Sequence, residues 1–378
     1  MPAARTLHLT ILLGAVGQTP TTPLSRDAIE ALTGASVQSQ SEGRTGFQLS
    51  FESERRRVVD ELLRVFQYGV GAAVRVVILA TLGGVLHVLS DGVVLQHQHA
   101  VTAAGKTSLA FTGEDLSVLM DLIDRKGAPL PSRNDYVQVN TLLAPYAALG
   151  VAPRVIPSPL SDFDDPTVGT PVHTGTDYAW ISNAARKVGY IFVLEPGPTP
   201  GRSTAYWGPE VQTSAAQPAL TLGAGLANNI AALSFTHQTQ QHALPRITLK
   251  LDNTSVSFPL PDHNPLRPPL TAVPQPPVRV QELAVEDGNL APARAIVLGL
   301  AQAARASDSV SASGQLDVRS YGRFLRPRLL VGVRGASLPY DGLYYVSRVS
   351  TELRRGQCSQ SFSLKRSGAF PLQPRVSA

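Results

Sequence analysis

Tyr340-Asp341-Gly342-Leu343-Tyr344-Tyr345-Val346-Ser347-Arg348-Val349, then Arg354-Arg355-Gly356, then Gln357-Cys358-Ser359-Gln360-Ser361-Phe362-Ser363-Leu364 is the stretch on which the fold turns. An Asp-Gly pair opens a run rich in Tyr and Val, a second glycine reverses it, and the residues that follow alternate by twos. That is the pattern of an antiparallel strand pair. The phrase occurs earlier too, as Asp91-Gly92-Val93-Val94-Leu95, then Ala104-Gly105-Lys106, then Leu109-Ala110-Phe111. From Asp-Gly to the second glycine is 14 residues in the early copy and 15 in the late one, and from that glycine to Phe111 or Phe362 it is six in both. The reading is an internal repeat whose turns are Asp91, Gly92, Gly105, Asp341, Gly342 and Gly356, with Phe111 and Phe362 in equivalent places.

A chain of 378 residues fits two to four compact units. Charged residues are 16% of it, against roughly 25% in ordinary soluble domains, which points to a surface of uncharged polar groups or one hidden in an assembly. The net charge of +5 is not gathered into a long basic run, and the clusters Arg55-Arg56-Arg57 and Arg323 to Arg334 have few interleaved aromatics, so no specific nucleic-acid partner is expected. One cysteine excludes an internal disulfide framework. Leu7 to Leu13 alternates as a first strand and is not read as a signal peptide; Val74 to Leu89 contains Arg75, His87 and a Gly83-Gly84 turn, so it reads as a hairpin with no membrane insertion.

Along the chain, strands are expected at Gly46 to Glu52, Val74 to Ala80, Val85 to Leu89, Val93 to Ala100 and Ser108 to Thr112, with one short helix capped by Ser25, making residues 1–112 a first β-barrel. Residues 113–227 read as an α+β middle domain. Its parts are a helical spacing over Glu114 to Asp124, a capping-box start at Ser132 to Asp135 before a helix through Leu142 and Tyr146 to Gly150 that Pro145 should bend or shorten, a proline-rich connector over Pro153 to Pro171, a helix over Asp177 to Val188, and strands at Tyr190 to Leu194 and Thr204 to Trp207. Residues 228–258 read as a strand segment leading into a second barrel. Residues 259–310 hold a stretch with eight prolines between Pro259 and Pro277, then an Ala-rich helix over Pro292 to Ser307. Strands at Tyr321 to Leu325 and Leu329 to Val333 and the opening pair make 311–373 the second β-barrel, and 374–378 a tail. The fold class is therefore mainly β with α+β insertions: two tube-like antiparallel barrels and a middle α+β region.

Candidate chemistry is sparse. Ala100 to Thr107 ends like a phosphate-binding loop, but its first glycine is replaced by Ala100 and Ser108 onward alternates as a strand where a helix is required. Gly223-Ala224-Gly225 lacks the third glycine of a dinucleotide fingerprint, and Asp162, Asp164 and Asp165 lack the glycine and terminal glutamate of a calcium loop. His97 and His99 share a strand face without a third ligand, and Cys358 sits on one face with Phe362 and Leu364 as a packing residue. No catalytic, metal or cofactor residue is assigned.

Leu316-Asp317 with Tyr321-Gly322, Val331 to Gly335, Tyr340 to Val346 and Gln360 to Arg366 resemble the end of the phage late-control family, the baseplate hubs of contractile tails and of phage-like contractile injection systems. Asp91 to Val94, Phe111 to Asp121, Asp177 to Trp180 with Gly189-Tyr190, and Ala205 to Pro209 resemble its earlier segments in order. The resemblance implies a homotrimer that joins a six-fold inner tube to a three-fold spike, assembled with other baseplate components and leaving a lumen for cargo. It also implies a chain made in the cytoplasm of the producing cell before assembly into the particle. Ending soon after the second barrel, the chain is expected to meet its spike as a separate protein. The face formed by Gln357, Ser359, Ser361, Ser363 and Lys365, polar without strong charge, is the candidate lining of that lumen. The alternatives are a glycan- or envelope-binding module using Trp180, Trp207 and tyrosines, and a nucleotide-binding enzyme centred on Lys106.

Overall fold

In the computed structural model the described residues are 6–67, 73–103, 105–130, 134–158, 172–223, 228–238, 243–251, 254–259, 268–272, 279–283, 299 and 308–373. The first part runs β1 (Leu7–Ala15), β2 (Thr22–Pro23), α1 (Arg26–Ala31), β3 (Leu32–Gln40), β4 (Gly46–Ser53), α2 (Arg56–Gln67), β5 (Val74–Leu82), β6 (Val85–Val101) and β7 (Thr107–Asp115). The middle holds α3 (Asp135–Leu143), β8 (Val151–Val155), α4 (Asp177–Lys187), β9 (Tyr190–Pro196), β10 (Ser203–Pro209) and β11 (Gln217–Thr221). The last part has β12 (Ile230–His237), β13 (Ala243–Leu251), β14 (Thr254–Pro259), β15 (Arg279–Leu283), β16 (Val310–Asp317), α5 (Val318–Tyr321), β17 (Leu330–Arg334), β18 (Gly342–Arg354) and β19 (Gln357–Arg366).

The architecture is mainly β: a large, mostly antiparallel sheet, a small mixed sheet β8-β10-β9, and the three strands β14-β13-β15. In the large sheet the order is β12-β16-β19-β18-β3-β4-β7-β6-β5-β1-β2, with β17 pairing β18 and β11. Strands from the two ends of the chain therefore share one sheet. The seam is β18 against β3, from Arg348 opposite Gln40 to Arg354 opposite Gly34. One apolar core gathers side chains from both ends, Ile11, Leu49, Phe111, Val349 and Phe362 among them. A second core packs Leu116, Val139, Ile181, Phe192 and Trp207 in the middle region.

Local chemistry explains much of the helical detail. Ser25 Oγ accepts from Ala28 N and caps α1. Pro145 ends α3 as expected, because its ring and missing N–H cannot continue the ladder; a 3-10 turn over Ala144–Leu149 follows, closed by Gly150 at φ 82°. The cap of α3 is Asn134, whose side chain accepts from Tyr136 N; Ser132 lies outside the described residues.

Several expectations need correcting. The first 112 residues are not all β: α2 buries Val58, Val59, Leu62 and Phe66, a helical spacing that lays one apolar stripe on Phe51 and Phe111. Glu114 to Asp124 forms only a 3-10 turn, Leu116–Asp121, with Ile123 exposed. Pro153 lies in β8, an edge strand, where a missing N–H is tolerated. Tyr321 to Leu325 is no strand: Asp317 caps α5, Tyr321 closes it, and Gly322 at φ 81° turns the chain away. The Ala-rich helix and most of the proline-rich stretch fall outside the described residues.

The Asp91-Gly92 turn is the most instructive correction. Both residues lie inside β6, which runs unbroken past them and pairs Gly92 with Val76 on one side and Asp115 on the other. Gly92 is not among the positive-φ glycines, whereas Gly342, at the start of β18, has φ 107°. What Gly92 supplies is closeness: a Cβ there would stand 2.1 Å from the carbonyl oxygen of Glu114. Gly92→Ala is accordingly expected to lower unfolding stability by about 1–3 kcal/mol, since the backbone must part to admit the methyl group. Urea denaturation midpoints at unchanged slope are the measurement, and an unaltered midpoint would contradict the close-approach account.

Candidate assembly surface

Alternation along each strand sorts the side chains of the large sheet into two faces. Following the register across one row gives Ala232, Gln315, Ser361, Ser350, Gln38, Gly46 and Glu114; another gives Asp317, Ser359, Glu352, Ser36, Gln48, Thr112 and Gln96. None of these residues is buried. The neighbouring row, Leu316, Gln360, Thr351, Val37, Phe47, Gly113 and Val94, points the other way and is buried apart from the half-buried Val94. Across these strands one face is rich in Ser, Thr and Gln, with Asp317, Glu352 and Glu114 among them, and the other lies on the core except along the far half of β6.

Gln357, Ser359, Ser361, Ser363 and Lys365 form the β19 part of that polar face, while Gln360 turns inward and binds Leu325 N through Oε1 and Thr351 Oγ1 through Nε2, at 2.8 and 2.9 Å. Most cations on or beside the face are paired, while among the described residues the exposed Arg348 reaches only Gln40 Oε1, at 3.4 Å. Lys365 Nζ lies 2.7 Å from Glu210 and 3.5 Å from Asp308, Arg354 lies 3.6 Å from Glu352, and Lys106 lies 2.6 Å from Glu52. A polymer sliding along it would meet mainly hydroxyls and amides, with charges of both signs scattered among them.

The eight strands fall into two successions of four, β12-β16-β19-β18 and β3-β4-β7-β6, every neighbour antiparallel. Details recur between them. A bulge interrupts β3–β4 after Leu32 and β12–β16 after Ile230; another interrupts β6–β7 after Val94 and β18–β19 after Val346. Phe111 stands opposite His97 and Phe362 opposite Val349. A helix follows β4 and a shorter one follows β16, and Gly105 (φ 79°) and Gly356 (φ 74°) sit in the turns after β6 and β18. Counting back from the bulge, Gly92 takes the place of Tyr344, not of Gly342. Tyr344 and Tyr345 are both core residues, 0% and 1% exposed.

The two successions differ in what covers their ends. On β18, Val349, Thr351 and Leu353 are buried where β3 abuts; their topological counterparts on β6, His97, His99 and Val101, are exposed, Val101 by 62%. Among the described residues, β6 beyond its bulge pairs only with β7, and β12 pairs only with β16. These are two open strand edges, and they run in the directions that β18 and β3 have at the seam. His97 and His99 therefore lie on an uncovered edge, and the described residues contain no cluster of three metal-ligating side chains.

The middle region is tied to this sheet by one buried ion pair. Arg75 on β5 donates from Nε and Nη2 to Asp91 on β6, each at 2.7 Å, and from Nη1 and Nη2 to the carbonyls of Leu149 and Gly201 at 2.8 and 3.1 Å. The pair is 1% and 0% exposed. By sequence alone Asp91 reads as a turn former; its partner, sixteen residues away in β5, is visible only in the register.

Other sequence candidates dissolve on inspection. Lys106 stands in a hairpin turn in which Thr102 N donates to Lys106 O at 2.9 Å, and β7 follows in place of a phosphate-binding helix. Gly223 has φ 68°, and Ala224, Gly225 and Asp162 to Asp165 lie outside the described residues. Trp207 is fully buried and its indole donates to Ile181 O at 3.3 Å, which removes it from any ligand-stacking surface. Cys358 is 2% exposed, and burial pushes its thiol up to about 12. The thiol therefore stays protonated throughout the neutral range, and a thiol reagent at pH 8 is expected to modify native protein more than tenfold slower than urea-unfolded protein. Equal labelling rates would show that β19 opens freely.

No protein-family model matches the chain, and no curated protein matches it by sequence. Solved structures do match. The tail protein from Neisseria meningitidis MC58 aligns with a TM-score of 0.61 at 15% identity, covering 96% of this chain and 98% of its own. The 43 kDa tail protein of prophage MuSo2 from Shewanella oneidensis gives 0.59 at 13% identity, with 98% and 100% covered. The E. coli c3393 protein, described as a type VI secretion system component with structural similarity to the T4 tail proteins gp27 and gp5, gives 0.52 at 11%, with 97% and 80% covered. Over almost its whole length, then, this chain has the fold of phage tail proteins.

Proposed function

We propose that the protein is the structural hub of a contractile tail or injection particle: a homotrimer whose ring joins a six-fold inner tube to a three-fold spike and leaves a lumen for cargo. The observation that carries this is the pair of open edges flanking a repeated four-strand succession. β12 and the far half of β6 stand to each other, in a second copy, as β3 and β18 stand within one chain. A head-to-tail contact of this kind forms a closed ring when the rotation per chain divides the circle. With two successions per chain, three chains offer six similar surfaces, which is how a three-fold object meets a six-fold one. Each succession, curled around its core, is the tube-like barrel of this reading, with 1–112 as the first barrel domain, 113–227 as the middle domain, and 311–373 as the second barrel together with β12 from the strand segment 228–258.

The polar face becomes the lumen wall, with Gln357, Ser359, Ser361, Ser363 and Lys365 as the β19 share. The inner tube protein, a separate spike protein and other baseplate components are the partners, and the role is mechanical, with no catalytic site. Assembly in the cytoplasm of the producing cell fits the reading, and no described helix is long and apolar enough to cross a membrane. Electron-microscopic averaging of the purified chain, alone and with tube protein, tests it. The expected result is a three-fold ring that caps tube ends; a monomer that ignores tube protein at every concentration would overturn the reading.

A further inference from the structure

A cavity of about 440 Å³ lies where three stretches far apart in sequence meet: β3 and the start of β6, the small mixed sheet, and the segment from Phe324 to Leu329. Its lining mixes apolar Val88, Leu194, Phe324 and Tyr345 with polar Thr351, Gln360 and Ser214, and includes Arg154, Arg326 and Arg328 against the single carboxylate of Glu195. Among the described residues neither Arg154 nor Arg326 has a carboxylate partner; Arg154 lies over the Tyr206 ring, 5.6 Å from its centroid. Arg328 is ion-paired with Glu195 and donates through Nη1 to Gln40 O at 3.2 Å. Its Nε, and the Oγ of Ser214 in the same wall, are buried without a hydrogen-bond partner. Buried polar atoms in native proteins are nearly always satisfied, so two orphans in one cavity mark a place for a missing acceptor. Among the described residues Arg328 is also one of two non-glycine residues at positive φ, 64°, and its N–H donates to Val346 O at 2.9 Å.

We propose that this cavity is a binding site for an organic anion, a carboxylate or sulfonate carried on an apolar body. The guanidiniums supply planar donor pairs that suit an oxyanion, and the walls suit a ring or branched alkyl group. A bare inorganic anion would leave those walls wet, and a neutral apolar molecule would leave the donors unmet. His87 adds to the apolar side: its ring packs tilted at 57° to Phe324, centroids 5.1 Å apart, and burial, then the fields of Arg326 and Arg323, lower its pKa and keep it neutral. The site is independent of the assembly reading, since every lining group belongs to one chain.

The test titrates the full chain with 8-anilinonaphthalene-1-sulfonate and follows fluorescence. One saturable site is expected, displaced by phenylacetate but not by phenylacetamide. Arg154→Gln and Ser214→Leu should each weaken binding about tenfold, the loss expected for one charge-assisted hydrogen bond or for a filled cavity. Neither residue contributes to the cores, so folding is not at issue and circular dichroism will show it. Absence of saturable binding, equal displacement by the amide, or wild-type affinity in both variants would overturn the proposal.

Discussion

Asp91→Ala is expected to destabilise the fold by about 3–5 kcal/mol, because it leaves the guanidinium of Arg75 buried without its counter-charge. Arg75 is 1% exposed and cannot turn to water, and its remaining partners are carbonyl dipoles and not a charge. Arg75→Ala is expected to cost a comparable amount, stranding the carboxylate of Asp91 with only the Ser203 hydroxyl, 3.4 Å away, among its side-chain donors. The double replacement Arg75→Met with Asp91→Leu should recover most of the loss, since neither charge then has to be desolvated. Urea unfolding of the single and double variants separates these cases. A double variant as unstable as the sum of the singles would mean that the two residues act through separate contacts, with no coupling between them and no charge orphaned by either single replacement. The pair also fixes orientation, because Arg75 binds the Leu149 and Gly201 carbonyls that end two loops of the middle region.

How much of this was legible in the sequence depended on the range over which each signal acts. The β19 alternation, the turn glycines Gly105 and Gly356, the cap at Ser25 and the stop at Pro145 are set by neighbours a few residues away, and local reading found them. Asp91-Gly92 obeys the same local rule and breaks it, because Gly92 answers to Glu114 across the sheet and Asp91 to Arg75. β3 was missed for a related reason. Thr33 to Gln40 is small and polar, and what makes it a strand is pairing with β4 on one side and with β18, more than 300 residues later, on the other. The stripe of α2 was readable at helical spacing and was hidden by the expectation of an all-β unit. As for the candidate site, five polar residues of β19 were picked out, but the other seven strands of their face join them only through register. The arginine cavity draws on segments with no sequence relation at all, so no motif announces it.

The edge contact offers the sharpest test of assembly. Val101 is 62% exposed near the end of β6, so Val101→Asp places a carboxylate in water in the isolated chain and should leave its folding stability within about 0.5 kcal/mol. In the proposed ring the same position corresponds to Leu353, 3% exposed against β3, and the carboxylate would be sealed against the β12 edge of the next copy. Burying an unpaired charge costs several kcal/mol, and a ring of three repeats that cost at each contact. Association is therefore expected to weaken by at least about a hundredfold per contact, enough to turn trimer into monomer at micromolar concentration. Val85→Asp is the control, since Val85 is 59% exposed at the β5–β6 hairpin tip, away from the open edge, and should keep the trimer. Light scattering with sedimentation reads the outcome directly. If Val101→Asp remains trimeric while folding normally, the β6–β12 junction is wrong and the ring must close through another surface.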